Sequence, residues 1–430
     1  MWGISRYQWT VLFAAWLGWG FDVFDGLLFN YVAPNCIPAL LHLPVGSPEA
    51  RVQTLHWTGL LTSLLLIGWA VGGVLFGTIC DRIGRLRTLM LTMLLYAVGT
   101  AACAAATNLW MLAIFRLIAS LGIGGEWAAG ASMVAEVMPE KRRVEGGALL
   151  YTAAPFGLFL ATYINYQVAG VWFANNTEQS WRYVFLFGLL PASIAFIVRL
   201  FVREPERWES VKSHSRARVR EIFTPQLRRK TYLGTLTVVI ALIGWWSCSA
   251  FIPVISSGLA RASAELRGLD KSATQSLIEH WKVTGTMAFN VGGLLGTLLT
   301  IPIAKRLGRR PMFALYFGAS AVAFFTTFGI NMSPETRLFM FFVIGVPVFG
   351  VFGAFPYYLP ELFPTRLRAT GAGFCYNIGR VLASAGPFLV GAAAARGTAI
   401  QTIFYVGLAP LLGLFLAPLI IETRGGTLSD

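Results

Sequence analysis

The segment that decides the fold is Gly77-Thr78-Ile79-Cys80-Asp81-Arg82-Ile83-Gly84-Arg85, a short charged sequence between two long apolar stretches. A related segment, Lys305-Arg306-Leu307-Gly308-Arg309, follows another apolar stretch 224 positions later. A second pair of motifs, Glu136-x-x-Pro139 with Arg143 and Glu361-x-x-Pro364 with Arg368, recurs at an offset of 225. Two unrelated motifs with almost the same offset predict a chain made of two duplicated halves.

The composition predicts that these halves lie in a membrane. Hydrophobic residues make up 56% of the 430-residue chain and charged residues only 13%, against roughly 25% charged in an ordinary soluble domain. A soluble core does not bury that much apolar surface, whereas a helix of ~20 apolar residues spans a bilayer. The sequence therefore predicts an all-α integral membrane protein, with twelve transmembrane helices in two six-helix bundles.

The expected spans cover residues 8–34, 57–80, 88–107, 109–138, 145–170, 182–202, 231–256, 281–304, 311–330, 335–359, 367–394 and 398–421. This organisation gives an N-terminal bundle over residues 1–202 and a C-terminal bundle over residues 231–430. Residues 203–230 form the one long polar segment, rich in Arg and Glu, and we interpret it as a solvated cytoplasmic linker.

The formal charge of +14 does not indicate nucleic-acid binding, because the basic residues are scattered between the apolar spans. The two sides of the membrane carry unequal numbers of Lys and Arg. The loops on the same side as the N-terminus contain 24, and the loops on the opposite side contain 8. The positive-inside rule then places both termini in the cytoplasm. The five cysteines show neither paired nor metal-like spacing, so we expect no disulfide, no metal and no cofactor.

Gly77-x-x-x-Asp81-Arg82-x-Gly84-Arg85 resembles the signature loop of the major facilitator superfamily, and the resemblance covers the whole chain. It implies two six-helix bundles that rock about a central substrate site, with Asp81, Arg82 and Arg85 as a cytoplasmic latch. Glu136, Arg143, Glu361 and Arg368 resemble sugar-porter motifs, which suggests a gate that closes in the outward-facing state. The alternative is that these four residues are ordinary solvated charges.

Two spans resemble particular families within the superfamily. The stretch 115–118, followed by 122–127 and Glu136-x-x-Pro139, resembles the fourth helix of the sugar-porter, metabolite:proton and sialate:proton families. Asp22-x-x-Asp25-Gly26 resembles the first helix of aromatic-acid:proton and sialate:proton symporters, although Val23 and Phe24 stand between the aspartates where those families usually have Gly-Phe.

The intramembrane charges of the first half are candidates for proton coupling. Asp22 and Asp25 project from one helix face, and two carboxylates so close in a low dielectric do not readily both ionise, which suits a proton carrier. Arg116 needs an anionic partner, and the resemblance to sugar-porter relatives favours Asp22 or Asp25. Glu126 lies on another face and is either a second proton site or an interhelical contact. The alternative for Asp22, Asp25 and Arg116 is a permanent structural role.

Arg380 is the only intramembrane cation of the second half, and it suggests a substrate carboxylate. Its alternative is an ion pair across to Asp22, Asp25 or Glu126. Further candidate substrate contacts are Tyr376, Asn377, Trp246, Asn290 and Tyr357. Aromatic residues in membrane helices are more often packing or interface anchors than ligand contacts, so that alternative stays open.

These residues predict a proton-coupled symporter of a small organic anion, a carboxylate, that works by alternating access. The alternative is a proton-coupled sugar or polyol symporter with purely structural arginines. A membrane enzyme or receptor is disfavoured, because the sequence has no nucleophile elbow, metal spacing or phosphate loop. We expect a monomer that interacts with its substrate, protons and lipid, as a multi-pass protein of a bacterial inner membrane.

Overall fold

The computed structural model describes residues 4–44, 47–165, 167–168, 172–173, 177–189, 193–194, 196–197, 218–394 and 399–425. Within these ranges the chain forms helices and no strands. The first-half helices are α1 (Arg6–Leu40), α2 (Pro48–Ile83), α3 (Arg85–Ala104), α4 (Leu109–Val137), α5 (Arg143–Tyr151), α6 (Ala153–Asn165) and α7 (Thr177–Phe187). The second-half helices are α8 (Arg228–Leu266), α9 (Lys271–Arg306), α10 (Arg309–Gly329), α11 (Pro334–Gly350), α12 (Phe355–Glu361), α13 (Arg368–Ala394), α14 (Ala399–Val406) and α15 (Leu408–Leu416).

Ten segments of the described chain are long and apolar enough to cross a membrane, and they match the first five, the seventh to tenth and the twelfth expected spans. Nine of the 21 residues of the expected sixth span, 182–202, lie outside the described ranges. The eleventh, 367–394, is the continuous helix α13, which is not among the ten. Helices α1, α8 and α9 have 35, 39 and 36 residues, well beyond the ~20 needed to span, so they tilt or project from the bilayer.

The duplication predicted from the loops is visible in the glycines that join the helices. Gly84, with φ 112°, lies between α2 and α3, and Gly308, with φ 102°, lies with Leu307 between α9 and α10. A positive φ is unfavourable for a residue with a Cβ, which is why glycine occupies both positions. The two glycines are 224 positions apart, so the structure repeats at the spacing of the sequence motifs.

The same repeat governs how helices pack inside each half. Helix α2 crosses α4 at Gly72, where a Cβ would lie 2.1 Å from the carbonyl oxygen of Leu121. The equivalent crossing of α9 and α11 is at Gly296, where a Cβ would lie 1.8 Å from the carbonyl oxygen of Val346. Small residues allow the backbones to approach in both pairs. Each half therefore contains the same helix pair with the same contact glycine.

Two of the expected spans are interrupted. The fifth breaks at Thr152, between α5 and α6, where the Thr152 hydroxyl accepts a hydrogen bond from the Trp16 indole at 2.8 Å. The tenth contains a 3-10 segment, Val351–Ala354, between α11 and α12. The aromatic rings next to these breaks, Tyr151 and Phe352, stack 5.8 Å apart across the two halves. Short 3-10 interruptions of this kind often mark hinges.

The linker predicted at 203–230 lies outside the described residues up to residue 217. From Arg218 onwards it is described and contains a 3-10 helix, Val219–Phe223. Thr231 donates a hydrogen bond to the Ile222 carbonyl at 2.6 Å, and Phe223 packs edge-on against Phe374 with ring centroids 5.2 Å apart. A hydrogen bond from Arg366 holds the pKa of Glu221 below its usual range. The end of the linker is thus fixed to the second half.

Candidate functional site

Arg380 lies buried on α13, where that helix packs against α2 of the first half. Its Nη1 donates a hydrogen bond to Asn377 Oδ1 at 2.9 Å. The guanidinium carbon sits 4.2 Å from the ring centroid of Trp69 on α2 and 5.0 Å from that of Tyr376. No carboxylate in the described ranges lies within ion-pair distance of Arg380, although the charge of Asp22 acts on it over a longer distance. Arg380 is therefore a buried cation held by an amide and two aromatic faces.

A connected set of rings from both halves includes the two that contact Arg380, and we call it the aromatic group. Its members are Trp19, Trp69, Trp127, Tyr151, Trp245, Trp246, Phe352 and Tyr376. Trp127 stacks on Tyr376 with centroids 4.0 Å apart and planes at 14°, and Trp19 lies 6.3 Å from Trp127. Trp245 and Trp246 touch at 4.9 Å, and Trp246 packs against the cluster that contains Trp69. The group therefore contains rings of both halves, one from each of which contacts Arg380.

Asn377 reaches this place because Gly73 faces it from α2. A Cβ at Gly73 would lie only 1.9 Å from Asn377 Nδ2. The amide also donates to the Gly373 carbonyl at 2.9 Å, which orients its oxygen toward Arg380. The close contact between α2 and α13 thus fixes the position of the guanidinium.

The acidic residues of α1 lie beside this group. Asp22 and Asp25 are both buried, and Asp25 Oδ2 accepts a hydrogen bond from Thr100 at 2.7 Å. Arg116 donates to the main-chain carbonyls of Asp25 and Gly26, at 3.4 and 3.0 Å, and its charge acts on the Asp25 carboxylate without a direct ion pair. In this structure α1 therefore binds Arg116 mainly through its backbone.

Glu126 lies apart from Arg116, as the helical spacing predicts. It is buried on α4, and Thr92 of α3 donates to its Oε2 at 3.4 Å. The neighbouring Gly125 lets Phe76 and Thr92 approach, because a Cβ there would lie 2.4 Å from Phe76. Glu126 thus sits at a tight crossing of first-half helices.

The remaining candidate substrate residues lie in different places. Trp246 and Tyr376 belong to the aromatic group. Asn290 is buried on α9 beside Phe289, whose ring lies 5.8 Å from Phe349. Tyr357 lies under the Arg309 guanidinium, 5.6 Å from ring centroid to Cζ, and packs against Gly147. Tyr357 is therefore grouped with charged residues rather than with Arg380.

Charged residues join the two halves at one end of the molecule, which we call the latch end. Arg85 binds Asp81 at 2.9 Å and Glu136 at 2.8 Å, and it donates to the Thr365 carbonyl of the second half at 2.9 Å. Glu136 also accepts from Arg368 at 2.8 Å. The four charged side chains of these contacts are buried, whereas Arg82 is exposed at the end of α2. Four of the predicted latch and gate residues, Asp81, Arg85, Glu136 and Arg368, thus form one cluster.

The second half repeats this cluster. Glu361 accepts from Arg309 at 2.8 Å, as Glu136 accepts from Arg85, and it pairs with Arg143 of the other half at 3.4 Å, as Glu136 pairs with Arg368. Each glutamate therefore binds one arginine of its own half and one of the opposite half. The repeat offset thus relates two complete inter-half clusters.

A third contact repeats with its charges exchanged. Asp81 accepts hydrogen bonds from the Thr370 amide and hydroxyl, both at 2.7 Å, at the start of α13. At the equivalent positions Lys305 replaces Asp81 and Glu145 replaces Thr370, and these two form an inter-half ion pair at 2.5 Å. An acceptor in the first half thus corresponds to a donor in the second.

Comparison with known proteins identifies this arrangement. Residues 9–387 match the family model described as Major Facilitator Superfamily. The chain belongs to the major facilitator superfamily. It is thus a multi-pass membrane transporter, with the twelve-helix, two-half fold predicted from the sequence, and not an enzyme.

Individual superfamily members cover almost the whole chain. A sialic acid transporter of Escherichia coli is 27% identical over 90% of this chain and 87% of its own length. A cis,cis-muconate transport protein of Acinetobacter baylyi is 28% identical, covering 92% and 90%. The solved structure of a proton:xylose symporter has a TM-score of 0.77 at 18% identity, with 99% of this chain and 98% of that chain covered. At that identity the structural likeness establishes the fold alone.

Sequence reasoning missed several residues of this candidate site. Trp19, Trp69 and Tyr151 were not separable from ordinary packing aromatics in apolar helices. The pair of Lys305 and Glu145 carried a detectable signal, because the repeat offsets map them onto Asp81 and Thr370. Glu145 and Thr370 belong to different residue classes, so residue identity alone does not reveal the pair.

Proposed function

We propose that this transporter is a proton-coupled symporter of a small organic anion, a carboxylate, that works by alternating access. The observation that carries the proposal is the buried Arg380, which lies between the halves with no described carboxylate at ion-pair distance. A buried guanidinium is costly without an anion, and it forms bidentate hydrogen bonds with carboxylates. A substrate carboxylate would meet both requirements.

Asp22 supplies a route for proton coupling. Its charge acts on Arg380, so an ionised Asp22 and a bound anion compete for the same cation. Protonation of Asp22 removes the repulsion between the two negative groups, and proton and substrate therefore favour each other's binding. Asp25, which is bound to Thr100 and adjacent to the Arg116 contact, would transmit this change to α4. Glu126 is a second, separate acid on the same half.

The conformational change of the mechanism involves the latch end. We infer that bundles 1–202 and 231–430, joined by the linker 203–230, rock about the aromatic group. With both termini in the cytoplasm of a bacterial inner membrane, the latch end is cytoplasmic, and the present contacts close that side. Separation of Glu136 from Arg368 and of Glu361 from Arg143 would open it.

The test is uptake into proteoliposomes under an imposed pH gradient. We expect accumulation of labelled cis,cis-muconate, competition by other carboxylates and no competition by a hexose. Arg380→Ala should lower the apparent affinity about tenfold to a hundredfold, the effect of losing charge-assisted hydrogen bonds. Arg261→Ala, an exposed arginine of α8, is the matched control.

Coupling is tested in the same vesicles. Asp22→Asn should abolish gradient-driven accumulation while counterflow exchange continues, because the neutral amide mimics the protonated acid. If Asp22→Asn and Asp25→Asn both retain accumulation, the coupling proposal is wrong. If Arg380→Ala transports carboxylates normally, or a hexose competes, a sugar symporter is the better interpretation.

A further inference from the structure

The aromatic group contains an unusual number of buried hydrogen-bond donors without acceptors. Within the described ranges, the indole N–H groups of Trp19, Trp69, Trp127, Trp245 and Trp246 are buried and have no hydrogen-bond partner. An indole only donates, and leaving such a donor buried and unpaired costs about 1–3 kcal/mol. Unpaired buried donors are rare in folded proteins, so several in one group need an explanation.

Three of these donors lie on rings that are linked to Arg380. Trp69 touches its guanidinium, Trp127 stacks on the neighbouring Tyr376, and Trp19 follows at 6.3 Å from Trp127. The residues Trp19, Trp69 and Trp127 are 6%, 6% and 3% exposed. Arg380 has five N–H groups, and its described hydrogen bonds engage only Asn377 and Tyr376. The site therefore offers a cation and several neutral donors to whatever enters it.

We propose that this group selects planar, conjugated acids whose second polar group accepts hydrogen bonds and does not donate them. The inference rests on the proposed function, because Arg380 binds the carboxylate in both. The indole N–H groups bind the acceptor atoms at the far end of the substrate. The flat rings of the aromatic group pack against its conjugated system.

The same chemistry disfavours polyhydroxylated acids. Each hydroxyl that enters a buried site brings a donor that needs its own acceptor. The aromatic group contributes mostly donors and apolar faces, so several hydroxyls would lose their hydrogen bonds to water. Both kinds of acid occur among superfamily substrates, as the muconate and sialic acid relatives show, so sequence similarity does not make this distinction.

The experiment compares three dicarboxylates of equal chain length by calorimetry on the purified full-length protein: conjugated cis,cis-muconate, saturated adipate and polyhydroxylated galactarate. We expect muconate to bind at least about tenfold more tightly than either of the others. Trp69→Phe and Trp127→Phe keep an aromatic ring and remove the N–H. Each should weaken muconate binding about fivefold to tenfold, the size of one hydrogen bond.

Trp110→Phe is the control, because Trp110 is 66% exposed and packs only on Trp57 among the described rings. Size-exclusion profiles and thermal unfolding of each variant show whether it is folded. Equal binding of the three acids, or unchanged muconate binding by both folded Phe variants, would overturn the inference and leave carboxylate symport intact. If none of the three acids binds, the proposed function itself fails.

Discussion

At the scale of single residues, the site depends on glycines that admit large side chains. Gly26 follows Asp25 on α1, and its carbonyl accepts the hydrogen bond from Arg116. A Cβ at Gly26 would lie 2.6 Å from the Trp69 ring, which is itself 4.2 Å from Arg380. One glycine thus connects the acidic face of α1 to the cation of α13 through a single indole.

Gly26→Ala should displace Trp69 and lower muconate affinity. Overpacking of a buried site costs roughly 1–3 kcal/mol, so we expect a loss of about fivefold or more together with a lower unfolding temperature. Calorimetry and thermal unfolding measure the two effects. Gly130→Ala is the matched control, because a Cβ there meets only Ala15 at 3.9 Å, an ordinary contact. Equal behaviour of the two variants would show that Trp69 is not held by this glycine.

At the scale of helices, the repeat explains which ends face each other across the halves. The start of α13 binds Asp81 of α2, and the start of α5 binds Lys305 of α9. Acidic side chains suit a helix N-terminus because of its exposed N–H groups and positive dipole. A lysine cannot use those N–H groups, so the second contact requires the carboxylate of Glu145.

Two substitutions can convert the contact of Lys305 and Glu145 into the type that Asp81 and Thr370 form. Lys305→Asp alone places two acids together and should slow muconate uptake about fivefold or more. Lys305→Asp with Glu145→Thr recreates the first-half contact of Asp81 and Thr370, with Arg309 four residues on, as Arg85 follows Asp81. We expect the double variant to recover uptake to within about twofold of the original rate, a non-additive result that indicates direct coupling. A double variant as slow as Lys305→Asp would show that the two contacts are not interchangeable.

At the scale of the whole molecule, the described inter-half ion pairs lie together at the latch end, and the aromatic group lies between the halves beyond them. Buried ion pairs are strongly orienting, since removal of one partner leaves an unpaired charge. The latch end can thus exist either closed, with pairs formed, or open, with water around the separated charges. That is the bistability that alternating access requires.

Arg368→Ala should shift the molecule toward the latch-open state, because Glu136 loses its partner from the opposite half. Removal of this contact lowers the stability of the closed state by about 1.5–3 kcal/mol. That loss changes the ratio of closed to open molecules by about tenfold to a hundredfold. Spin labels at Ile83 and Leu307, which are repeat-related and 37% and 55% exposed, should report a longer distance. The native cysteines are all buried, which keeps labelling specific.

Arg267→Ala serves as the comparison for this experiment. Arg267 pairs with Glu335 at 2.8 Å within the second half, and both side chains are about half exposed. Removal of that pair should leave the spin-label distances unchanged. A similar distance change in both variants would mean that Arg368 does not specifically hold the latch end.

The sequence by itself determined the membrane fold, the two halves and the positions of the latch motifs. These follow from hydropathy, loop charge and a repeat offset, which are properties of position along the chain. The structure supplied the pairings: Arg116 with main-chain carbonyls, Lys305 with Glu145, Trp69 with Arg380, and Tyr357 with Arg309 rather than with the aromatic group. Helices such as α4 carry apolar residues on every side, so their sequence does not specify which face meets which neighbour. Rotation and register are decided only when the helices pack, and they determine which buried charges and indoles meet.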